Sequence, residues 1–451
     1  MSDNLILETP PGIDGAVGDE ERVESDADPA VLRSTSLWKH AAFLNLWAAE
    51  SISQFGTQIT LVALPLIAAL TLSASPLQMG LLTAAMTAPS LLLGLFVGVW
   101  VDRLRRRPLL IVADVARAVA LLVVPVAWWL DVLSIGVLYA TVFVVGSFTV
   151  VFDIAYVSLL PALVRRDQLV DGNSKLEMSV STAQVGGPAI GGGLVAIMTP
   201  PLVLITNAVS YLLSAFFIWR IRDQEPRGRT LAVRGTMRAD ISEGLRTLAG
   251  DSVLRALAAS SATVTLFGYA FLAVYVLYMT GDLGLGAGAV GLVFGAGGVG
   301  ALIGATLAAP LSKRFGTGRT IVLARLGFGL GGLLVPLALS VPELALPLVI
   351  AAEFLQWLAL VAGDVNARSL RQALTPDRLL GRVNASFRFV VAGMIPVGSL
   401  LGGLLGELVG IRATLLIGVG GMLVAFVWLL FSPVWRMASL PDEPSPAASG
   451  D

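Results

Sequence analysis

Long apolar runs recur along this chain, separated by short breaks in which arginine, glycine, proline and acidic residues collect. A helix needs about 20 consecutive apolar residues to cross the hydrocarbon of a bilayer. Roughly twelve such runs can be placed, near 41–71, 77–101, 108–130, 133–161, 177–199, 201–220, 254–280, 287–311, 319–340, 343–366, 386–407 and 412–432. The pattern predicts an all-α membrane protein of 12 transmembrane helices.

Composition agrees, because 56% of the residues are hydrophobic, 14% are charged and the mean hydropathy is +0.82, too apolar for a surface that must face water throughout. Residues 1–33 instead hold nine carboxylates and no apolar core segment, so no signal peptide is expected and residues 1–36 read as a disordered acidic cytoplasmic tail. With no cysteine and the single His40, disulfides, thiolate catalysis and histidine or thiolate metal sites are excluded. No nucleotide loop of the Gly-x-x-x-x-Gly-Lys type and no nucleophile with a base partner can be found, so neither an enzyme, an ATP-driven pump nor a resident cofactor is expected.

The basic residues orient the spans. Arg103, Arg105, Arg106 and Arg107, then Arg165, Arg166 and Lys175, the run from Arg220 to Arg255, Lys313, Arg314 and Arg319, and Arg368 to Arg388 all fall on one side of a twelve-span arrangement. The other side carries only Arg412. Such one-sidedness is the positive-inside signature, and it predicts that both termini are cytoplasmic in a multi-pass protein of the cell membrane.

Displacing the chain against itself by 211 positions aligns Gly80 with Gly291, Arg103 with Arg314, Asp153 with Asp364 and Asn173 with Asn384 without gaps. Gly187, Gly191 and Gly192 fall on Gly398, Gly402 and Gly403 in the same register. A duplicated six-helix unit explains this. It predicts two pseudo-symmetric bundles, at 37–222 and 251–436, a linker at 223–250 whose stretch Asp240–Leu248 reads as a short amphipathic interfacial helix, and a disordered cytoplasmic tail at 437–451.

Short motifs carry a family resemblance. Gly98, Asp102, Arg103 and Arg106 follow the second span in a pattern similar to motif A of the major facilitator superfamily, with Arg105 where that motif has its second glycine. Lys313, Arg314, Phe315 and Gly316 resemble its degenerate second copy. Gly187, Pro188, Gly191 and Gly192 in the fifth span resemble the end of the antiporter motif C, and Ala63, Leu64 and Pro65 resemble the tail of the helix-one motif of drug antiporters, with Gly56 where that motif has Asp. Asp114 with Arg117, Asp153 and the loop from Pro161 to Asn173 resemble the exporter branch that holds macrolide efflux pumps and enterobactin-type siderophore exporters. The resemblance implies the MFS fold, a motif A latch on Asp102 and Arg103, and a motif C seal between the halves.

Ionisable side chains within the spans are the candidate site, since placing a charge in hydrocarbon costs about 2.5–3.5 kcal/mol even on insertion scales. Glu50 stands nine residues into the first span, near the midplane, with Gln54, Thr57 and Gln58 following on one helical face that belongs on a cavity. Glu50 is the best candidate for a proton-exchanging carboxylate. Asp114 and Arg117, three apart, are expected to pair with each other, as are Asp364 and Arg368, four apart. Asp153, and Glu353 with Gln356 and Trp357 on one face of the tenth span, complete the substrate- or proton-binding candidates. Aromatics such as Trp47, Phe55, Tyr269 and Phe271 are candidates for the lining of an apolar cavity.

The expected activity is export of an amphiphilic small molecule, a drug or secondary metabolite, by proton antiport with alternating access. The expected partners are the substrate, protons and membrane lipids but no nucleic acid, for a chain acting as a monomer. A siderophore exporter is the alternative within transport, and a non-transporting receptor or scaffold of the same fold is the alternative outside it.

Overall fold

The computed structural model describes residues 37–101, 104–165, 168–221 and 237–439. Its helices are α1 (Ala41–Leu66), α2 (Pro76–Val101), α3 (Arg106–Trp129), α4 (Ile135–Leu163), α5 (Leu169–Ile197) and α6 (Pro200–Arg220) in one half. The linker helix α7 (Met237–Gly250) follows, then α8 (Ser252–Leu277), α9 (Ala287–Phe315), α10 (Thr317–Gly332), α11 (Leu334–Ala338), α12 (Ala345–Leu374), α13 (Asp377–Leu408) and α14 (Ile411–Leu430). With α10 and α11 forming one broken span, the described residues contain 12 helices long and apolar enough to cross a membrane. They form two six-helix bundles.

The duplication extends to local detail. His40 caps α1 by accepting from the Phe43 amide, and Asp251, 211 residues on, caps α8 by accepting from the Val253 and Leu254 amides. Each satisfies helix-end donors that would otherwise lack partners. Both helices also end in one wide turn of π-helix, at Ile67–Thr71 and Tyr278–Asp282, again in the same register.

Three hydrophobic cores define how the halves meet. One core belongs wholly to the first half and runs from Leu37 through Phe43, Leu110 and Leu159 to Ile221, around the helix ends that carry the basic residues. Its counterpart in the second half runs from Leu248 through Leu257, Ile321 and Leu370 to Val434. The third lies toward the opposite end and is shared, joining Ile59, Leu66 and Tyr211 to Phe271, Tyr275, Val290 and Met422. The halves are therefore joined at the end away from the basic residues and parted at the basic end, which leaves a crevice open there.

Glycines make the joint. A Cβ on Gly192 of α5 would lie 1.9 Å from the Cα of Gly291 in α9, and one on Gly403 of α13 would lie 3.2 Å from the Cα of Gly80 in α2. The register of 211 maps Gly192 onto Gly403 and Gly80 onto Gly291, so the two crossings are copies of one contact. Below the first crossing, Gly295 meets Ala189 and Gly298 meets the Val185 backbone. Small residues let helices approach to backbone contact, which is how membrane helices gain packing without a hydrophobic driving force between them.

One sequence expectation needs correction. The breaks between the expected spans at 162–176 and 367–385 are largely helical, because α5 begins at Leu169, α12 continues to Leu374 and α13 begins at Asp377. Hydropathy marks where a helix is in lipid, and these ends continue as polar, basic helix beyond it. The helical run of α1 continues unbroken to Thr71, so Glu50 is about 14 Å from its basic end and about 31 Å from the other, at 1.5 Å per residue.

Adjacent glycines provide a test. Gly192→Ala should destabilise the protein by about 1–3 kcal/mol through overpacking. A Cβ on Gly193 would have nothing within 4 Å, so Gly193→Ala should stabilise it by about 0.5–1 kcal/mol through helix propensity. Thermal unfolding of the purified variants reads both, and shifts of the same sign would contradict the packing described.

Candidate functional site: a charged layer in the crevice

The polar face of α1 turns into the first half. Glu50 is 4% exposed, its Oε1 accepts from Gln54 Nε2 at 2.7 Å, and its Oε2 is buried without a partner. Further along, Thr57 Oγ1 lies 3.1 Å from the Tyr211 hydroxyl and Asn207 Nδ2 donates to Thr60 Oγ1 at 2.6 Å, which ties α1 to α6. Gly56 belongs to that contact, since a Cβ there would fall 2.1 Å from Asn207 Oδ1. An aspartate at this position, as in the motif it resembles, would not fit.

Asp114 and Arg117 form the expected ion pair on α3, both almost wholly buried. The guanidinium is held between the rings of Phe152 and Tyr211, each centroid 4.2 Å from Cζ. Cation–π contact on both faces compensates part of the desolvation of a buried charge. Asp153, one helix away on α4, is exposed to the crevice and lies within electrostatic reach of Glu50 and Arg117. The structure thus gathers Glu50, Gln54, Asp114, Arg117 and Asp153.

In the second half the expected Asp364–Arg368 pair is not formed. Asp364 accepts from Arg325 of α10 at 2.6 Å, and Arg325 also donates to Ser261 at 3.2 Å. Arg325 is only 3% exposed and must find a carboxylate, whereas Arg368 is exposed and can be solvated. Glu353 lies elsewhere, eight residues from the far end of α12, where its Oε1 accepts from Trp357 Nε1 at 2.8 Å. Trp357 packs on Gly297. These two candidates are not brought to the Glu50 cluster.

Measured along their helices, Glu50, Asp114, Arg117, Asp153, Arg325 and Asp364 all lie about 12–17 Å from the basic end. Two further residues occupy the same layer, Glu177 on α5 and Arg388 on α13, both exposed to the crevice. Neither was among the sequence candidates. The register of 211 places Glu177 on Arg388 and Asp114 on Arg325, but a search for matching residues passes over positions where the charge is inverted. The Tyr156 hydroxyl, buried and without a partner, stands among Glu50, Glu177 and Asp153.

Of the motif A residues, Gly98 lies in α2 and Arg106 opens α3, while Asp102 and Arg103 fall outside the described residues. Arg107, next in line, donates to the Ile218 carbonyl at 3.3 Å and to the Trp219 carbonyl, closing the end of α6. The motif C-like residues pack α5 on two partners. Gly187 lies against Gln58 and Gly191 against Ile59 of α1, Gly192 meets α9, and Pro188 is accommodated within the helix. Trp47 and Phe55 line an apolar groove of about 490 Å³ between α1 and α6, with Ile59, Val209 and Leu213, and Glu50 is not among its walls.

Two six-helix bundles joined at small-residue crossings, with a charged crevice between them, define a membrane transporter of the major facilitator class. The chain belongs to the MFS family described as transmembrane secretion effector, whose model matches residues 34–449. It is 27% identical over 403 residues to the multidrug efflux pump Tap of Mycolicibacterium fortuitum, covering 86% of this chain and 95% of that one. It is 25% identical over 410 residues to the enterobactin exporter EntS of Shigella dysenteriae serotype 1 (strain Sd197), covering 89% and 94%. A match to the uncharacterized MFS-type transporter YfiS of Bacillus subtilis (strain 168), 28% identical over 216 residues, spans 46% of this chain and 48% of that relative. Among solved structures, a bacterial homologue of the iron transporter ferroportin in its inward-facing state superposes with a TM-score of 0.67 at 19% identity, over 86% of this chain and 98% of that one. The family and these neighbours are membrane transporters, not enzymes.

The two ion pairs differ in a testable way. Arg117→Met strands the buried Asp114 carboxylate and should cost about 3–5 kcal/mol, much of it recovered by Arg117→Met with Asp114→Leu. Arg368→Gln, which removes no partner of Asp364, should change stability by less than about 0.5 kcal/mol. Thermal unfolding of the four proteins checks this, and a large effect of Arg368→Gln would contradict the Arg325–Asp364 assignment.

Proposed function

We propose that this protein is a secondary exporter of an amphiphilic small molecule, driven by proton antiport through alternating access. Glu50 carries this reading: a carboxylate buried inside a span, with one oxygen unpartnered and two further carboxylates in electrostatic reach. A group so placed exchanges a proton when the field around it changes. Rocking of the halves about the glycine joint supplies that change, by exposing the crevice to one side and then the other. The one-sided arginines support a cytoplasmic position for both termini and for the open end of the crevice. Substrate then enters from the cytoplasm and leaves on the far side, and the relation to an efflux pump and to an exporter supports that direction.

Asp102 and Arg103 are proposed as the latch at the basic end, with Gly98 and Arg106 shaping the turn, and Gly187, Pro188, Gly191 and Gly192 as the seal of the joint. Gln54 positions Glu50, and Gln58 sits where α1 and α5 meet. Arg117 with Asp114 sets the field that Glu50 feels. Glu353 and Trp357 are proposed to stabilise the second half rather than to contact substrate. A monomer contains both halves of the cycle.

Glu50→Gln should abolish transport driven by a pH gradient in proteoliposomes while substrate exchange without a gradient persists. Rates of exchange should also lose their dependence on pH. Gradient-driven transport at the wild-type rate in Glu50→Gln would remove Glu50 from the coupling role.

A further inference from the structure

The walls of the crevice carry opposite charge at positions that duplication makes equivalent. Where the first half has Asp114 and Glu177, the second has Arg325 and Arg388. Asp153 and Asp364 are equivalent too, yet only Asp364 has a cation bonded to it, because its partner Arg325 stands where the first half has Asp114. In the first half Arg117 is bonded to Asp114, and among the described residues no cation is bonded to Glu50, Asp153 or Glu177. No hydrogen bond or ion pair among the described residues engages Asp153, Glu177 or Arg388. The first wall therefore carries excess negative charge, and the second presents one unpaired arginine at the same depth.

Two buried polar atoms without partners stand among these carboxylates at the first wall. Glu50 Oε2 and the Tyr156 hydroxyl are both shut off from solvent and lack partners, and Tyr156 lies within electrostatic reach of Glu50, Asp153 and Glu177 at once. A buried polar group without a partner calls for an explanation, and a bound cation or water is one that this acidic setting allows. Arg388 of α13 reaches Asp153 electrostatically across the crevice, although the cores on the two sides are separate at this end. A closure of the basic end would bring the two side chains together.

We propose that the crevice binds an organic cation on the wall formed by Asp153, Glu177, Glu50 and Tyr156, and that Arg388 is the internal cation that takes the ligand's place when the basic end closes. Closure then weakens the ligand's hold as it opens its exit, so one movement both changes access and displaces the cargo. The groups facing the site are Glu50 on α1, Asp114 and Arg117 on α3, Asp153 and Tyr156 on α4, Glu177 on α5 and Arg388 on α13. This deepens the transport reading by naming the charge class of the substrate, and the binding site it assigns can be tested without any measurement of transport.

Tetraphenylphosphonium and tetraphenylborate have the same shape and opposite charge. Equilibrium dialysis of each against the purified full chain separates charge recognition from hydrophobic uptake. The wild type is expected to bind the cation more tightly than the anion, and Asp153→Asn or Glu177→Gln to weaken the cation by about tenfold, the effect of one charge contact in a partly hydrated site. Arg388→Gln should bind the cation at least as tightly as the wild type, yet in proteoliposomes loaded with it should release it more slowly. Equal binding of the two ions, tighter binding of the anion, or binding of neither overturns the site. Weaker cation binding in Arg388→Gln, or unaltered release, overturns the displacement. Failure of proton coupling with intact cation selectivity would instead count against the antiport reading alone.

Discussion

Close backbone contact between helices at two glycine pairs is the constraint on which the molecule depends. Gly192 against Gly291 and Gly80 against Gly403 bring four helices of two bundles together at one end. No side chain fills these crossings, so the backbones themselves make the dispersion contacts. Everything below the joint follows from that geometry: the single shared core above, the two separate cores at the basic end, and a water-accessible crevice between them. A charge in a membrane protein belongs on such a cavity.

The two halves use the crevice unequally. Duplication gave each half the same scaffold, down to the caps at His40 and Asp251 and the π-helical turns that end α1 and α8. Divergence then put arginine opposite acid at two equivalent positions. The second half neutralises itself through Arg325 and Asp364, whereas the first keeps surplus carboxylates around Tyr156. A scaffold with two-fold symmetry thereby acquires unequal walls: one carries surplus carboxylates, and the other presents Arg388 at the same depth.

Most of the architecture was legible in the sequence because lipid imposes it. Span number, one-sided basic residues and the repeat at 211 all record constraints that act on many residues at once. The Asp114–Arg117 pair was legible too, since three residues along one helix fixes a distance. The Arg325–Asp364 pair was not, because its partners lie 39 residues apart on two helices and Arg368 offered a nearer but solvated alternative. Glu177 and Arg388 escaped notice for a different reason: the repeat preserves their position and reverses their charge. The helix that continues through 169–176 and 367–374 was not legible where the hydropathy falls, because hydropathy reports lipid contact rather than backbone hydrogen bonding.

Rocking about the glycine joints is most directly tested by distances between the halves. The chain has no cysteine, so spin-label pairs can be introduced cleanly at Met178 and Phe389 near the basic end, and at Val132 and Val341 on the other. Double electron–electron resonance in nanodiscs, compared at acid and alkaline pH, should show one pair shortening whenever the other lengthens. Distances that change in the same sense at both ends, or at neither, would contradict a pivot at Gly192–Gly291 and Gly80–Gly403.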